Sequence, residues 1–256
     1  MEKWKGKIAV VTGASAGIGI SIVKSLVSYG VHVIGLARRV EKVEELVNEL
    51  QNADGKVYAY KCDVADQQSV AAAFQWMEEK FGGVDILINN AGVYKFMKIL
   101  DDGETVNDDL KQTVDVNLMG VVYCTRAAFA TMKNREFSHI IHMNSIGGHF
   151  VPFPSDSSPF YNIYCASKYG ITATNEVLRQ ELALSEYSKK IRVTSISPGE
   201  VKTEMVAAAG GDAEKYYETI PFLLPEDVAE SVIYVLSTPA RVNVTEVIIR
   251  PTGERI

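Results

Sequence analysis

Cysteine is scarce in this chain: Cys62, Cys124 and Cys165 are odd in number, far apart, and form no C-x-x-C pair, which excludes a disulfide framework and the usual thiolate metal sites. A reduced, cytoplasmic setting is the simplest expectation. Histidine is almost as rare, and His32, His139, His142 and His149 lie at no metal-ligand spacing. Long apolar runs are also missing. No segment reaches the roughly 18 residues of a membrane span, and the first residues, "MEKWKGK", are charged and carry no apolar signal core. Positive charge falls short of negative, 26 Lys and Arg against 32 Asp and Glu, for a net charge of −6. Such a surface disfavours nucleic acid and anionic membranes as partners. No internal repeat, low-complexity tract or linker divides the chain, so residues 1–256 are read as one domain.

What is present is an alternation. "KIAVVTG" is a short β-branched run stopped by glycine, and "GIGISIVKSLVSYG" follows with helical apolar spacing. The pattern repeats through "VHVIGLA", "VEKVEELVNEL", "KVYAYKCDV", "QSVAAAFQWMEEKFG" and "VDILINNAG". A helical stretch over about 106–132, the strand "HIIHMNS", a helix over about 161–184, the strand "IRVTSISPG", the helix "PEDVAESVIYVLS" and a last strand "EVIIRP" complete it. Seven strand candidates separated by helical crossovers predict an α/β fold: a parallel sheet covered by helices on both faces, doubly wound. Ligands then bind at the carboxyl ends of the strands. Two irregular tracts, 146–160 and roughly 199–224, follow strands on that side and are expected to be binding loops.

The first strand-to-helix turn is "TGASAGIG", with Gly13, Gly17 and Gly19. Glycines there let the backbone approach a diphosphate and aim helix-start amides at its charge. The spacing G-x-x-x-G-x-G departs from G-x-G-x-x-G. At the end of the second strand, where an NAD site places an acid on the ribose 2′-hydroxyl, this chain has Ala37, followed by Arg38 and Arg39. Two guanidiniums suit a 2′-phosphate, which argues for NADP(H) over NAD.

Tyr-x-x-x-Lys occurs twice, as Tyr94 with Lys98 and as Tyr164 with Lys168. Tyr164 and Lys168 sit at i and i+4 of a predicted helix and so share one face. A phenol of ordinary pKa is a poor acid or base near neutrality unless positive charge stabilises its anion, and lysine supplies that charge. Tyr94 and Lys98 instead follow the fourth strand directly, as a surface loop or substrate-side wall.

"TGASAGIG", "NNAG", Ser145 in "HMNS", "YCASK" and "SPG" stand in the order found in the short-chain dehydrogenase/reductases, a family that the chain resembles over nearly its whole length. The resemblance implies a Rossmann domain and a catalytic set of Tyr164, which exchanges a proton with the substrate oxygen, Lys168, Ser145, and Asn117 on the long helix before Ser145. It also implies a cofactor site made of the turn (Gly13, Ser15, Ala16, Gly17, Ile18, Gly19), Arg38 and Arg39, Asp63 and Val64 at the adenine, and Asn90, Ala91 and Gly92 as a wall. Tyr164 and Lys168 again, with Pro198, Gly199, Val201 and Thr203, complete its nicotinamide side. Ser145 and Tyr164 are expected to touch substrate, as is His149, which follows Ser145. A homodimer or homotetramer is implied too. "GLARRVEKVEEL", "PEDVAESVIYVLSTPA" and "IIRPTG" resemble the branch containing insect farnesol dehydrogenases and the vertebrate family member eleven. Ser145 and Tyr164 stand 19 residues apart, wider than is usual in the family, with "HFVPFPSDSSPF" in the gap.

The expected activity is NADP(H)-dependent interconversion of an alcohol and a carbonyl on an apolar small molecule such as an isoprenoid, a ketosteroid or a medium-chain compound. Phe150, Val151, Phe153 and Phe160 are candidates for lining its pocket. The rival class is a sensor or scaffold that binds NADP(H) without turnover, which the retention of Tyr164 and Lys168 disfavours.

Overall fold

Short apolar runs rich in β-branched residues form strands β1 (Ile8–Thr12), β2 (His32–Ala37), β3 (Val57–Lys61), β4 (Ile86–Asn89), β5 (Ser138–Met143), β6 (Ile191–Pro198) and β7 (Glu246–Ile249). They are observed in a computed structural model that describes residues 1–152 and 161–254. The strands make one parallel sheet in the order β3-β2-β1-β4-β5-β6-β7. Successive residues of a strand face opposite sides of the sheet, and both sides are apolar here. Ala9 and Val11 of β1 join one core with Ile22 and Leu26 of α1 (Gly17–Ser28), Val43 of α2 (Val40–Glu49) and Val232 of α9 (Pro225–Ser237). Val10, between them, joins the opposite core with Phe74 of α3 (Gln67–Phe81) and Ala128 of α5 (Gly120–Met132). The doubly wound α/β arrangement expected from the pattern is therefore the observed one.

Local chemistry sets the helix limits. Asp66 caps α3 by accepting from the Gln68 amide at 2.8 Å, and Gly82 ends it at φ +68°. Pro225 opens α9, where the Asp227 carboxylate accepts from the Leu224 amide at 2.7 Å. The helical stretch over 106–132 is continuous but not uniform: α4 (Val106–Val114) passes through a π-helical segment, Asp115–Met119, into α5. π insertions recur at functional sites, and this one carries Asn117. The tract 199–224 departs from expectation. It holds two short helices, α7 (Met205–Ala208) and α8 (Ala213–Thr219), pinned by a bridge between Val201 and Leu223. In the other tract Ile146–Gly148 make one 3-10 turn, and Phe153 and Phe160 lie outside the described residues.

β1 and β4 are neighbours whose following connections leave in opposite directions. The crevice at their carboxyl ends is where a doubly wound sheet binds ligands.

Two histidines of β5 are structural. His139 binds Thr194 Oγ1 at 2.7 Å and His142 lies beside Thr125 Oγ1 at 3.4 Å, both buried. Burial holds His139 well below its usual pKa and His142 down to about 4. The unfolded chain gains these protons near pH 6.5 and the folded chain does not, so stability falls as pH drops from 6.5 towards 4. For His142 the loss is about 3 kcal/mol. The urea midpoint is expected to fall across that window, and less steeply in His142→Gln.

Candidate active site

The β1–α1 turn is shaped by contact. Gly13 has φ +66°, and a Cβ there would lie 2.8 Å from Ala91 Cα, so only glycine lets the turn lie against the strand β4 exit. Asn90 fastens that approach: its Nδ2 donates to the Thr12 carbonyl at 2.9 Å, while Thr12 Oγ1 accepts from the Asn90 and Ala91 amides. Ala16 precedes α1 with no side-chain cap. The Gly19 amide turns back to the Ala16 carbonyl at 3.1 Å, and no side chain caps the amides before it, which leaves them to an external anion. A cleft runs from this turn past Arg38 and Arg39 to Asp63 and Val64, and back along Asn90, Ala91 and Gly92 to Thr203. Both arginines are exposed; Arg39 Nη2 lies 3.6 Å from Glu204 across the cleft. An uncapped helix start at one end and two guanidiniums at the other fit a dinucleotide bearing an extra phosphate.

A second cavity continues from the cleft and shares Ile18, Asn90, Gly92 and Thr203 with it. Tyr164 and Lys168 reach it from α6 (Asn162–Ala183), Ser145 from the end of β5, and Pro198 and Gly199 from the end of β6. The Lys168 ammonium is buried, donates to the Met143 carbonyl at 2.9 Å and lies 5.7 Å from the Tyr164 ring centroid. Ser145 Oγ accepts from the Gly147 amide at 3.0 Å. Asn162 has φ +36°, a conformation asparagine tolerates. From it the side chain donates to the Lys95 carbonyl at 2.6 Å and fixes the start of α6 on the segment after β4. The Asn117 amide grips the same segment lower down: Oδ1 accepts from the Val93 amide at 2.8 Å and Nδ2 donates to its carbonyl at 2.9 Å. Asn117 Nδ2 also reaches Ser167 Oγ at 3.3 Å, one residue before Lys168.

Three expectations change. The Tyr164 phenol is not acidified in the protein alone. Burial raises its pKa, and the Ser145 hydroxyl pulls the other way without reversing the shift. Lys168, itself pushed down to about 8 by burial, gives one hydrogen bond to the Met143 carbonyl and is not among the groups that offset the burial of the phenol. A phenol that keeps its proton at neutral pH is a proton donor to a carbonyl oxygen. His149 does not line the cavity. Its Nε2 sits 2.9 Å from Ser197 Oγ and 3.2 Å from Glu246, turned to the β6–β7 edge. Cys165 is buried under Gly147 with its thiol pushed up to about 11, an inert packing residue. Phe150 lies against the Arg250 guanidinium at 5.6 Å and Val151 is exposed, whereas Pro152 does line the pocket.

Apart from Tyr94, expected in a surface loop or substrate-side wall, the pocket's other walls are residues that sequence reasoning passed over. Tyr94, Tyr161, Phe96, Tyr216 and Glu200 all face the cavity with Tyr164. Tyr94 stacks edge-on against Tyr164 with centroids 5.3 Å apart. Its place straight after β4 was the signal for a substrate-side wall. Nothing in the local pattern marks Glu200 or Tyr216, which meet only through the fold of α8 onto the end of β6.

A family model described as short chain dehydrogenase matches residues 7–214. The chain belongs to the short-chain dehydrogenase family. It is 44% identical over 263 residues to a farnesol dehydrogenase of Aedes aegypti, covering 100% of both chains. It is 42% identical to the human dehydrogenase/reductase SDR family member 11, covering 99% of this chain and 97% of that one. Among solved structures, an alcohol dehydrogenase from Thermococcus sibiricus complexed with 5-hydroxy-NADP superposes with TM-score 0.83 at 26% identity, covering 98% of this chain and 99% of that chain. A serine dehydrogenase in its closed form complexed with NADP+ gives TM-score 0.84 at 31% identity, covering 97% and 96%. This short-chain dehydrogenase is accordingly an oxidoreductase of alcohol and carbonyl groups. Among its described residues no helix is long and apolar enough to cross a membrane, and no cluster of three His, Cys, Asp or Glu could hold a metal ion.

Proposed function

We propose that the protein is an NADP(H)-dependent carbonyl reductase and alcohol dehydrogenase acting on a small molecule with substantial apolar surface, of the isoprenoid, ketosteroid or medium-chain kind. One observation carries the reading: Ser145, Tyr164 and Lys168 converge on a cavity that opens into the cleft holding the uncapped α1 start and Arg38 and Arg39. The relative named farnesol dehydrogenase and the neighbours complexed with NADP+ or an NADP derivative support it.

The cofactor supplies or accepts hydride at its nicotinamide; the protein has to hold it and manage one proton. Gly13, Ser15, Ala16, Gly17, Ile18 and Gly19 seat the diphosphate on the α1 amides, and Arg38 and Arg39 hold the 2′-phosphate. Asp63 and Val64 border the adenine, with Asn90, Ala91 and Gly92 behind the cofactor. Pro198, Gly199, Val201 and Thr203 lie at the nicotinamide end, and Lys168 holds the ribose there. Ser145 orients the substrate oxygen and Tyr164 gives it the proton in reduction or takes it in oxidation. Asn117 keeps the Val93 backbone and the α6 side chains in register.

The test is NADPH oxidation on a panel of terpenoid aldehydes, ketosteroids and medium-chain ketones. Because burial raises the Tyr164 pKa, reduction is expected to hold up across neutral pH and decline only in strong alkali. Alcohol oxidation is expected to climb with pH. Tight NADPH binding with no turnover of any panel member would overturn the reading in favour of a sensor.

A further inference from the structure

We propose that Glu200, with the rings of Tyr94, Tyr161 and Tyr216, forms a subsite for a positively charged ammonium group on the substrate. As a statement about which carbonyl compound is turned over it rests on the reductase reading above; as a statement about binding it does not.

Glu200 directly follows Gly199 at the end of β6, and its side chain lines the same cavity as Tyr164. The Tyr216 hydroxyl donates to Oε2 at 3.2 Å. No ion pair among the described residues reaches this carboxylate. The groups facing it are all acids: Glu254 from the last segment, Tyr94 after β4, Tyr161 and Tyr164 on α6, and Tyr216 and Tyr217 on α8. Among the described residues the neighbouring cations are held by other partners. Arg250 pairs with Glu254, and Lys168 rests on the Met143 carbonyl. Glu200 is thus a carboxylate in a largely aromatic cavity, with no ion-pair partner among the described residues.

Burial in that setting disfavours the anion and pushes the Glu200 pKa up to about 7. A neutral ligand filling the cavity would strip the remaining water from the carboxylate and return nothing. A cation neutralises it, and the faces of neighbouring rings add quadrupole attraction for ammonium groups. Tyr94 and Tyr161, with centroids 6.3 Å apart and a 36° tilt, form one such wall. The cationic end of the substrate rests there, and its carbonyl lies towards Ser145 and Tyr164.

The experiment compares two ketones of one shape, trimethyl(2-oxopropyl)ammonium and 4,4-dimethyl-2-pentanone, by calorimetry on the protein alone and with NADP+. At pH 8 the cation is expected to bind at least about tenfold more tightly, the effect of one charge-assisted contact. From pH 8 to pH 6 Glu200 takes up its proton, so the preference shrinks, and the quaternary charge itself cannot titrate. Glu200→Gln abolishes the preference; Glu200→Asp, which keeps the charge, retains most of it. The proposal is overturned by equal affinities, by a preference for the neutral ketone, or by a preference that persists in Glu200→Gln. Should Glu200→Gln fail to fold, the pH dependence and the aspartate variant decide. A Glu200-dependent preference without reduction of either ketone by NADPH sustains this subsite and counts against the reductase reading, so the two can fail separately.

Discussion

Tyr164→Phe is expected to lower kcat for carbonyl reduction by roughly 10²- to 10⁴-fold, the range of a positioned general acid. NADPH affinity and thermal stability should stay near those of the parent. The substitution deletes one oxygen. The ring stays at its edge-on contact with Tyr94, 5.3 Å between centroids, and Lys168 keeps its hydrogen bond to the Met143 carbonyl, so neither the pocket wall nor the buried ammonium loses its support. What disappears is the ionisable hydroxyl that hydrogen-bonds with Ser145, and with it the proton that the substrate oxygen needs when hydride arrives. Single-turnover measurement with NADPH separates this from slow product release. A variant with more than a tenth of the parent rate would show that the proton comes from elsewhere. The residual activity should also lose the alkaline decline expected for the parent, because the group that titrates is gone.

The protonated state of that phenol marks where sequence and structure diverge. The i, i+4 spacing of Tyr164 and Lys168 was legible because a helix fixes which side chains share a face. The seven strands were legible because a sheet covered on both sides demands unbroken apolar runs. The balance between the lysine's charge and the cost of burial was not, since it depends on the carbonyl that Lys168 binds and on walls contributed by distant segments. Asn117 shows the same division. Its helix could be read from periodicity, whereas the π turn that aims its amide at Val93 leaves no mark on the apolar pattern. In 199–224, proline, glycine and charged residues hid two short helices whose stability comes from contact, as between Tyr217 Oη and the Val201 carbonyl at 2.9 Å. His149 was placed by its nearness to Ser145 in the chain, but the 3-10 turn after Ser145 swings its ring to Ser197.

Replacing Arg38 and Arg39 together by alanine is expected to weaken NADPH by roughly 10²- to 10⁴-fold and NADH by less than about threefold, taking each guanidinium–phosphate contact as a charge-assisted bond of about 1.5–3 kcal/mol. The asymmetry follows from the cleft. Ala37 offers no carboxylate to a free 2′-hydroxyl, so NADH has nothing to lose there, whereas a 2′-phosphate has no other cationic partner among the cleft-lining residues near that end. Arg39 also faces Glu204 at 3.6 Å, with both side chains more than half exposed, so the two single variants should differ. Arg38→Ala should cost NADPH more, because Arg39 has to share its charge with Glu204. Glu204→Gln frees Arg39 and should tighten NADPH while leaving NADH unchanged. Fluorescence titration of both coenzymes against the parent and the four variants reads these differences without a substrate. Equal losses for NADPH and NADH in the double variant would mean that the arginines hold the shared part of the dinucleotide, and the preference for the phosphorylated coenzyme would then have to be sought elsewhere in the cleft.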